Sequence, residues 1–392
     1  MEKKKLTPQL RFPEFKNAGE WEERTIEDIV IAESSTLALN KLNLKSNGYP
    51  IYGADGIIGY IDDFQQIDKY ISIVKDGSGV GRLALCEGKS SILGTLQYLK
   101  SRNPEDYDLT WVYYLLNTVN FSSFIKGSGI PHIYYSDYKN ENIALPSLPE
   151  QQKIASCLSS LDEVIELHTQ KLELLQEHKK GLLQNLFPQE GETVPRVRFP
   201  EFEGDGEWVE DDIGTLFKFK QGVQVPVSNQ FPEQGDDMVR FIRIIDITSN
   251  NEPPRYIQHP GDSHIISKDD LFMIRYGTPG LISIGFEGVI ANNLFRLIWK
   301  SEKRNQPKFW FYAFQRLESF IYNLSSSSSM PAISFSTLEG LKIGFPPTIE
   351  EQQKIASCLS ALDELITSQQ EKIDQLQQHK KGLMQGLFPS AV

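Results

Sequence analysis

Three stretches hold residue types that could support catalysis. Gly77-Ser-Gly79-Val-Gly81 is glycine-rich enough to cradle a phosphate, and Gly88-Lys89-Ser90 follows it, but Leu83 stands where a phosphate-binding loop needs its first glycine. The run therefore reads as a tight turn between strands. Asn251-Glu-Pro-Pro-Arg-Tyr256 approaches the Asn-Pro-Pro-Tyr pattern that grips the amino group of a flipped base, yet Glu252 parts the asparagine from the prolines, and a surface loop is the better reading. His132, His259 and His264 share no metal or triad spacing, and His168, His178 and His379 fall on predicted helices. With no Asp…Glu-x-Lys nuclease cluster either, the chain is expected to be non-catalytic, with no metal site of its own.

The remaining polar residues suit binding. Lys75, Ser78 and Arg82 flank the glycine turn, and Lys126, Ser128, His132, Tyr134 and Tyr135 surround a later loop. Lys220, Gln221, Arg240, Arg243, Arg275, Tyr276, Thr278, Asn292 and Asn293 fall at predicted strand ends, with Ser327 and Ser329 in the polar run Ser325 to Ser329. In the major groove of double-stranded DNA, arginine pairs with guanine and asparagine or glutamine with adenine, while lysine, serine and backbone amides take phosphates. The set points to DNA; any single member reads more readily as a solvated loop residue. The formal net charge of −12 argues against nucleic acid on its face. It leaves room for basic residues gathered on one face and for phosphate contacts made by basic partner subunits.

A duplicated frame must position these residues. Glu150 to Pro188 and Glu351 to Pro389 match at about two thirds of their positions, and each copy reads as one long helix. Ser147 with Glu150 and Thr348 with Glu351 predict capping boxes, and Leu-Phe-Pro ends both copies. In between, Ile154, Leu158, Leu161, Ile165, Leu172, Leu175, Leu182 and Leu186 recur at spacings of three and four once His168 and Lys179 are counted. The second copy repeats this seam from Ile355 to Leu387, interrupted at Gln369 and Lys380. So narrow a seam needs a helical partner. Parallel pairing sets Lys179 and Lys380 in one layer, whereas antiparallel pairing separates them by roughly 30 Å, so an antiparallel coiled coil of roughly 50 Å is expected. His168 and Gln369 would supply a polar layer near its middle.

The segments before the helices repeat at their edges. Arg11-Phe-Pro-Glu-Phe15 with Gly19-Glu-Trp21 opens the first, and Arg198-Phe-Pro-Glu-Phe202 with Gly206-Glu-Trp208 opens the second. Near their ends Pro131, Ile133 and Ser136 match Pro331, Ile333 and Ser336. The middles have diverged, and read as short strands with glycine turns plus a helix at 108–126 and another at 307–324. The expected fold class is α+β with an internal pseudo-twofold duplication: mostly-β domains at 1–146 and 189–346, helices at 147–188 and 347–392. At 392 residues, 40% hydrophobic and 23% charged, the composition is that of a globular protein. No apolar run reaches the roughly 20 residues of a membrane span and residues 1–15 lack a signal peptide's apolar stretch, so a cytoplasmic location is expected. Of three cysteines, Cys157 and Cys358 are equivalent and Cys86 stands alone, with no metal-ligand spacing.

The Pro-Glu-Gln-Gln-Lys-Ile-Ala run at 149–155, its copy at 350–356, the Lys-Lys-Gly-Leu and Leu-Phe-Pro helix ends, and the order variable, helix, variable, helix carry a family resemblance. Together they resemble the specificity (S) subunit of a type I restriction-modification system over the whole chain. The resemblance implies two target recognition domains, each reading half of an asymmetric bipartite site, with the coiled coil setting the spacer. It implies recruitment of two methyltransferase (M) subunits and of motor/endonuclease (R) subunits, and places S-adenosylmethionine, ATP and Mg on those partners. Gln151, Gln152 and Lys153, with their copies Gln352, Gln353 and Lys354, are candidates for docking two identical partners; completing the first helical turn is the plainer account. Two rival readings remain. A coiled-coil adaptor that binds protein would lack salt-dependent DNA affinity. A fused methyltransferase-specificity enzyme that has lost its catalytic half fits poorly with a duplication running from end to end.

Overall fold

The computed structural model describes residues 6–127, 129–249, 252–301, 306–325 and 331–389. The chain forms two compact units that interleave along the sequence, residues 1–170 with 370–392, and residues 171–369.

In the first unit an antiparallel sheet runs in the order Val30–Ser34, Leu96–Ser101, Tyr70–Val74, Leu83–Cys86. Every residue of Tyr70–Val74 is buried, which explains a run there that is apolar apart from Ser72. The two faces are still sorted by the strand's period of two. Ile71 and Ile73 enter one core with Leu99, Trp111 and Leu158, while Tyr70 and Val74 enter another with Ile92 and Tyr98. A second sheet, in the order Gly56–Ile61, Tyr49–Gly53, Ser91–Ile92, lies beside it in sequence. Helix α1, Leu109–Leu116, starts where the Asp108 side chain accepts from the Trp111 N–H at 2.8 Å. It ends earlier than the sequence pattern suggests, because Asn117 and Thr118 turn their side chains back onto the carbonyls of Tyr113 and Leu115, both at 2.7 Å. A 3-10 turn at Phe121–Phe124 follows. Helix α2 is Leu148–Asn185.

The second unit repeats the frame. Its sheet runs in the order Phe217–Gln221, Leu294–Trp299, Leu271–Ile274, Ile282–Ser283. The partner sheet runs Arg255–Gln258, Met238–Ile242, Gly288–Ile290, Ile265–Ile266. Leu271 and Met273 face one core and Phe272 and Ile274 the other. Registers agree between units: Ser34 lies opposite Gln97 and Val74 opposite Leu96, as Gln221 lies opposite Phe295 and Ile274 opposite Leu294. The diverged middles are thus one sheet plan with different side chains. Helix α3 is Pro307–Asn323, with proline at the position that needs no N–H donor, and helix α4 is Ile349–Leu387.

The start of each long helix is latched differently from the predicted capping box. Glu150 takes the Arg11 guanidinium through both oxygens at 2.7 Å, and Glu351 takes Arg198 likewise at 2.8 Å. Thr348 Oγ1 is buried with no hydrogen-bond partner among the described residues. A buried carboxylate gains more from a planar, charged fork than from one backbone N–H, so the opening Arg-Phe-Pro-Glu-Phe segments close onto the helices. Lys153 adds to the latch by pairing with Glu14 at 3.2 Å above the Phe12 ring, as Lys354 does with Glu201 at 2.9 Å above Phe199.

Each unit holds the beginning of one long helix and the end of the other. Ile154 and Leu158 share a core with Leu387 and Phe388, and Ile355 and Leu359 share one with Leu186 and Phe187. The pairing in both units is antiparallel, as the seam lysines require. Lys380 Nζ lies 2.5 Å from Asp162 in the first unit, and Lys179 Nζ lies 2.6 Å from Asp363 in the second. The Tyr114 and Tyr312 hydroxyls donate to the same two aspartates, each at 2.7 Å, and the lysines lie over their rings at 5.3 and 5.5 Å. Burial pushes both phenols up in pKa, so they remain donors. Near the unit boundary Gln369 is buried and His168 half-buried.

Two stability outcomes follow from these polar joints. Glu351→Ala leaves Arg198 charged and buried without its partner, and is expected to cost about 3–5 kcal/mol in urea unfolding followed by tryptophan fluorescence. A loss below about 1 kcal/mol would show that the latch is incidental. Asp363→Lys, which faces Lys179, should destabilise, and adding Lys179→Asp should restore about 1 kcal/mol of coupling in a double-mutant cycle; purely additive effects would rule the joint out.

Candidate nucleic-acid interface

Both units project one turn from the end of the central strand. It is Lys75-Asp76-Gly77-Ser78-Gly79-Val80-Gly81 in the first and Arg275-Tyr276-Gly277-Thr278-Pro279-Gly280 in the second. Backbone hydrogen bonds make the two equivalent. The Lys75 N–H donates to the Thr95 carbonyl and the Arg275 N–H to that of Asn293, both at 2.9 Å. Ile133 N–H reaches the Lys75 carbonyl at 2.8 Å, and Ile333 N–H that of Arg275 at 3.2 Å. Gly77 and Gly277 donate to Pro131 and Pro331, both at 2.9 Å, from φ values of 91° and 93° that favour glycine. The turn, the exit loop and the residue that opens the neighbouring strand therefore form one continuous surface in each unit.

The chemistry on that surface differs. In the second unit the Arg275 guanidinium lies over the rings of Phe335 and Tyr276, 4.3 and 5.1 Å from their centroids. Its Nη1 donates to Gln221 Oε1 at 2.6 Å and its Nε to the Ile333 carbonyl at 3.3 Å. The Gln221 amide in turn donates to the Asn292 carbonyl, Asn293 Oδ1 is buried without a partner among the described residues, and Thr278 is exposed at the tip. Five sequence candidates, Gln221, Arg275, Tyr276, Asn292 and Asn293, thus meet in one place. Phe335 was missed, although it aligns with Tyr135 in the exit loops.

In the first unit Lys75 is largely covered, its Nζ 3.9 Å from the Asp76 carboxylate, and Ser78 is exposed at the tip. Lys126 brackets His132 through paired backbone bonds and holds Asp137 at 2.6 Å. That hydrogen bond and the Tyr134 N–H keep the Asp137 carboxyl below its ordinary pKa. The His132 ring lies 5.2 Å from that of Tyr134, which is exposed.

Other candidates are engaged elsewhere. Tyr135 turns inward, its hydroxyl donating to the Val30 carbonyl at 2.6 Å, because the exit loop packs on the sheet edge. Arg82 pairs with Asp55 on the neighbouring hairpin. Arg243 is closed on Asp246 at 2.8 Å at the start of a short helix, and also donates to the Pro253 carbonyl. Lys220 donates to the Ser263 carbonyl, and Arg240 lies 5.4 Å from the Phe286 ring centroid with its Nε buried and unpartnered among the described residues. Ser128, Ser327, Ser329 and Asn251 lie outside the described residues.

The candidate docking residues divide. Gln151 and Gln352 are each 1% exposed and face inward. Gln151 bonds the backbone of Asp106, Asp108 and Pro146, and Gln352 that of Pro346, because these glutamines tie the helix start to the preceding segment. Gln152 and Gln353 are exposed, and Lys153 and Lys354 carry the latch contacts described above. Among the described residues no three His, Cys, Asp or Glu side chains are placed to hold one metal ion, and no helix is long and apolar enough to cross a membrane.

Comparison with known proteins agrees with this duplicated plan. The chain is 28% identical to a Methanocaldococcus jannaschii protein provisionally assigned as the type I restriction enzyme MjaX specificity subunit, over 95% of this chain and 94% of that one. It is 29% identical to the MjaVIII specificity subunit of the same organism, over 82% of this chain and 79% of the other. A crystal structure of a type I restriction-modification S subunit from M. genitalium shares the fold, with a TM-score of 0.71 at 20% identity over 98% of this chain and 100% of that one. A second structure, from a study of type I restriction-modification complex assembly, gives a TM-score of 0.54 at 16% identity over 94% and 98%. The family model for the type I restriction modification DNA specificity domain matches residues 18–177 and again residues 206–378. Matched twice by that domain, the chain belongs to the type I restriction-modification DNA specificity family.

Proposed function

We propose that each unit reads one half of an asymmetric, bipartite DNA site through the turn at the end of its central strand. The observation that carries this reading is the equivalence of the two turns in backbone and their difference in side chains. Lys75, Ser78 and Thr95 stand where Arg275, Thr278 and Asn293 stand in the other unit. A frame repeated with different reading groups recognises two different half-sequences. Helices α2 and α4 each contribute to both units, residues 148–170 and 370–387 to the first and 171–185 and 349–369 to the second. Their length then sets the number of unread bases between the half-sites.

In this reading the chain does no bond chemistry. It presents DNA, in the cytoplasm, to two methyltransferase subunits and, for cleavage, to motor/endonuclease subunits, which carry S-adenosylmethionine, ATP and Mg. The exposed, equivalent Gln152 and Gln353 are suited to meeting two copies of one partner.

Sequencing of methylated adenines in cells expressing the chain with its cognate methyltransferase is expected to reveal one bipartite motif that is absent without it. No new motif, together with no salt-dependent DNA binding by the assembled complex, would favour a protein adaptor instead. Inserting about one heptad into both long helices should lengthen the gap and leave each half-sequence unchanged; altered half-sequences would contradict the ruler.

A further inference from the structure

Arg275 is the most tightly organised cation on either candidate surface. A free arginine side chain samples many rotamers, and here that freedom is removed before any ligand arrives. Phe335 and Tyr276 fix the plane of the guanidinium, while Gln221 and the Ile333 carbonyl fix its rotation within that plane. Two of its five N–H groups are engaged in this way. Both hydrogens of Nη2 and one of Nη1 have no partner among the described residues, and with Gln221 on the outer Nη1 hydrogen the edge shared by Nη1 and Nη2 presents a pair of parallel donors. A stacked, rotation-locked guanidinium offering such an edge matches a ligand with two acceptors side by side. Guanine in the major groove has that arrangement in O6 and N7, and a phosphate has it in two oxygens.

We propose that Arg275 is the specificity-determining residue of the second unit and reads one guanine of its half-site, with Gln221 as the positioning residue. This rests on the bipartite reading above. A phosphate contact would need charge but not a fixed rotation, and the glutamine clamp restricts rotation without adding charge. Among the described residues the equivalent Lys75 lies over no aromatic ring, and its ammonium, which is no planar fork, lies beside Asp76. The two units therefore read their corresponding positions by different chemistry.

The test uses the full chain assembled with its methyltransferase subunits, on a library with both half-sites randomised. Wild type, Arg275→Gln, Arg275→Lys and Gln221→Ala are read by methylation sequencing and by DNA binding at graded salt. With Arg275→Gln, one guanine position of one half-site should shift to adenine or lose discrimination by at least about tenfold, with the other half-site unchanged. Gln221→Ala should relax the same position more weakly, without a shift in base preference. If Arg275→Gln fails to assemble, Arg275→Lys and Gln221→Ala decide on the same readout. A motif unchanged in every variant, with binding weakened uniformly and the salt slope lower by about one, would make Arg275 a phosphate contact and overturn the proposal. So would a motif and affinity unaffected by any variant. A wild-type complex that directs no bipartite motif would instead sink the reading of the whole chain.

Discussion

A seam of two apolar positions per heptad cannot be left in water, and each long helix continues past the unit in which it begins. Antiparallel pairing solves this by bringing the end of each helix to the start of the other, and the consequence reaches into both cores. Phe388, at the end of the second long helix, stacks on Trp111 with centroids 6.2 Å apart and meets Trp21 edge-on at 6.4 Å. Phe187, at the end of the first, does the same with Phe309 at 5.6 Å and Trp208 at 5.7 Å. The first unit is therefore finished by a segment remote in sequence, residues 370–392, and the second by the helix end that leads directly into it. The Leu-Phe-Pro motif is both a stop signal for the helix and a core element of the unit it reaches.

The polar groups in this frame fix which pairing is allowed. Buried ion pairs contribute little net stability, since desolvation offsets much of their attraction, but they penalise arrangements that leave one partner alone. The Arg11 to Glu150 and Arg198 to Glu351 pairs act in this way on the opening segments. The Lys380, Asp162 and Tyr114 set and its counterpart Lys179, Asp363 and Tyr312 act on the seam itself. Because each set joins two long helices to the short helix of a β domain, a slip of either helix would strand a charge. Register in the helices and placement of the domain are thus set by the same three side chains.

How much of this was legible in the sequence depended on whether a residue's partner lies within reach of a local pattern. The seam, the helix ends and the antiparallel sense could be read because periodicity and the repelling lysines are local facts. The capping boxes were misread because Glu150 and Glu351 find arginines 139 and 153 residues away. The plan shared by the two middles was hidden because register is kept by backbone bonds while side chains change. Candidates at strand ends divided on the same ground: Arg82 and Arg243 are paired with the carboxylates of Asp55 and Asp246 and Tyr135 turns inward, whereas Arg275 is held by the neutral Gln221 from 54 residues away.

The acidic composition fits a division of labour. A net charge of −12 gives no long-range attraction for a polyanion, and several surface cations are already neutralised, Lys126 by Asp137, Arg82 by Asp55 and Lys45 by Asp62. A chain built to bind DNA tightly on its own would leave such cations free, because phosphate contacts supply most of the affinity and almost none of the sequence information. Arg275, by contrast, is held by neutral groups, with Phe335, Tyr276, Gln221 and the Ile333 carbonyl fixing its guanidinium, and its Nη2 has no partner among the described residues. Fixed orientation adds little to affinity for DNA in general but a great deal to the difference between one base and another. In the proposed reading, discrimination therefore resides here, and the electrostatic share of binding falls to the partner subunits.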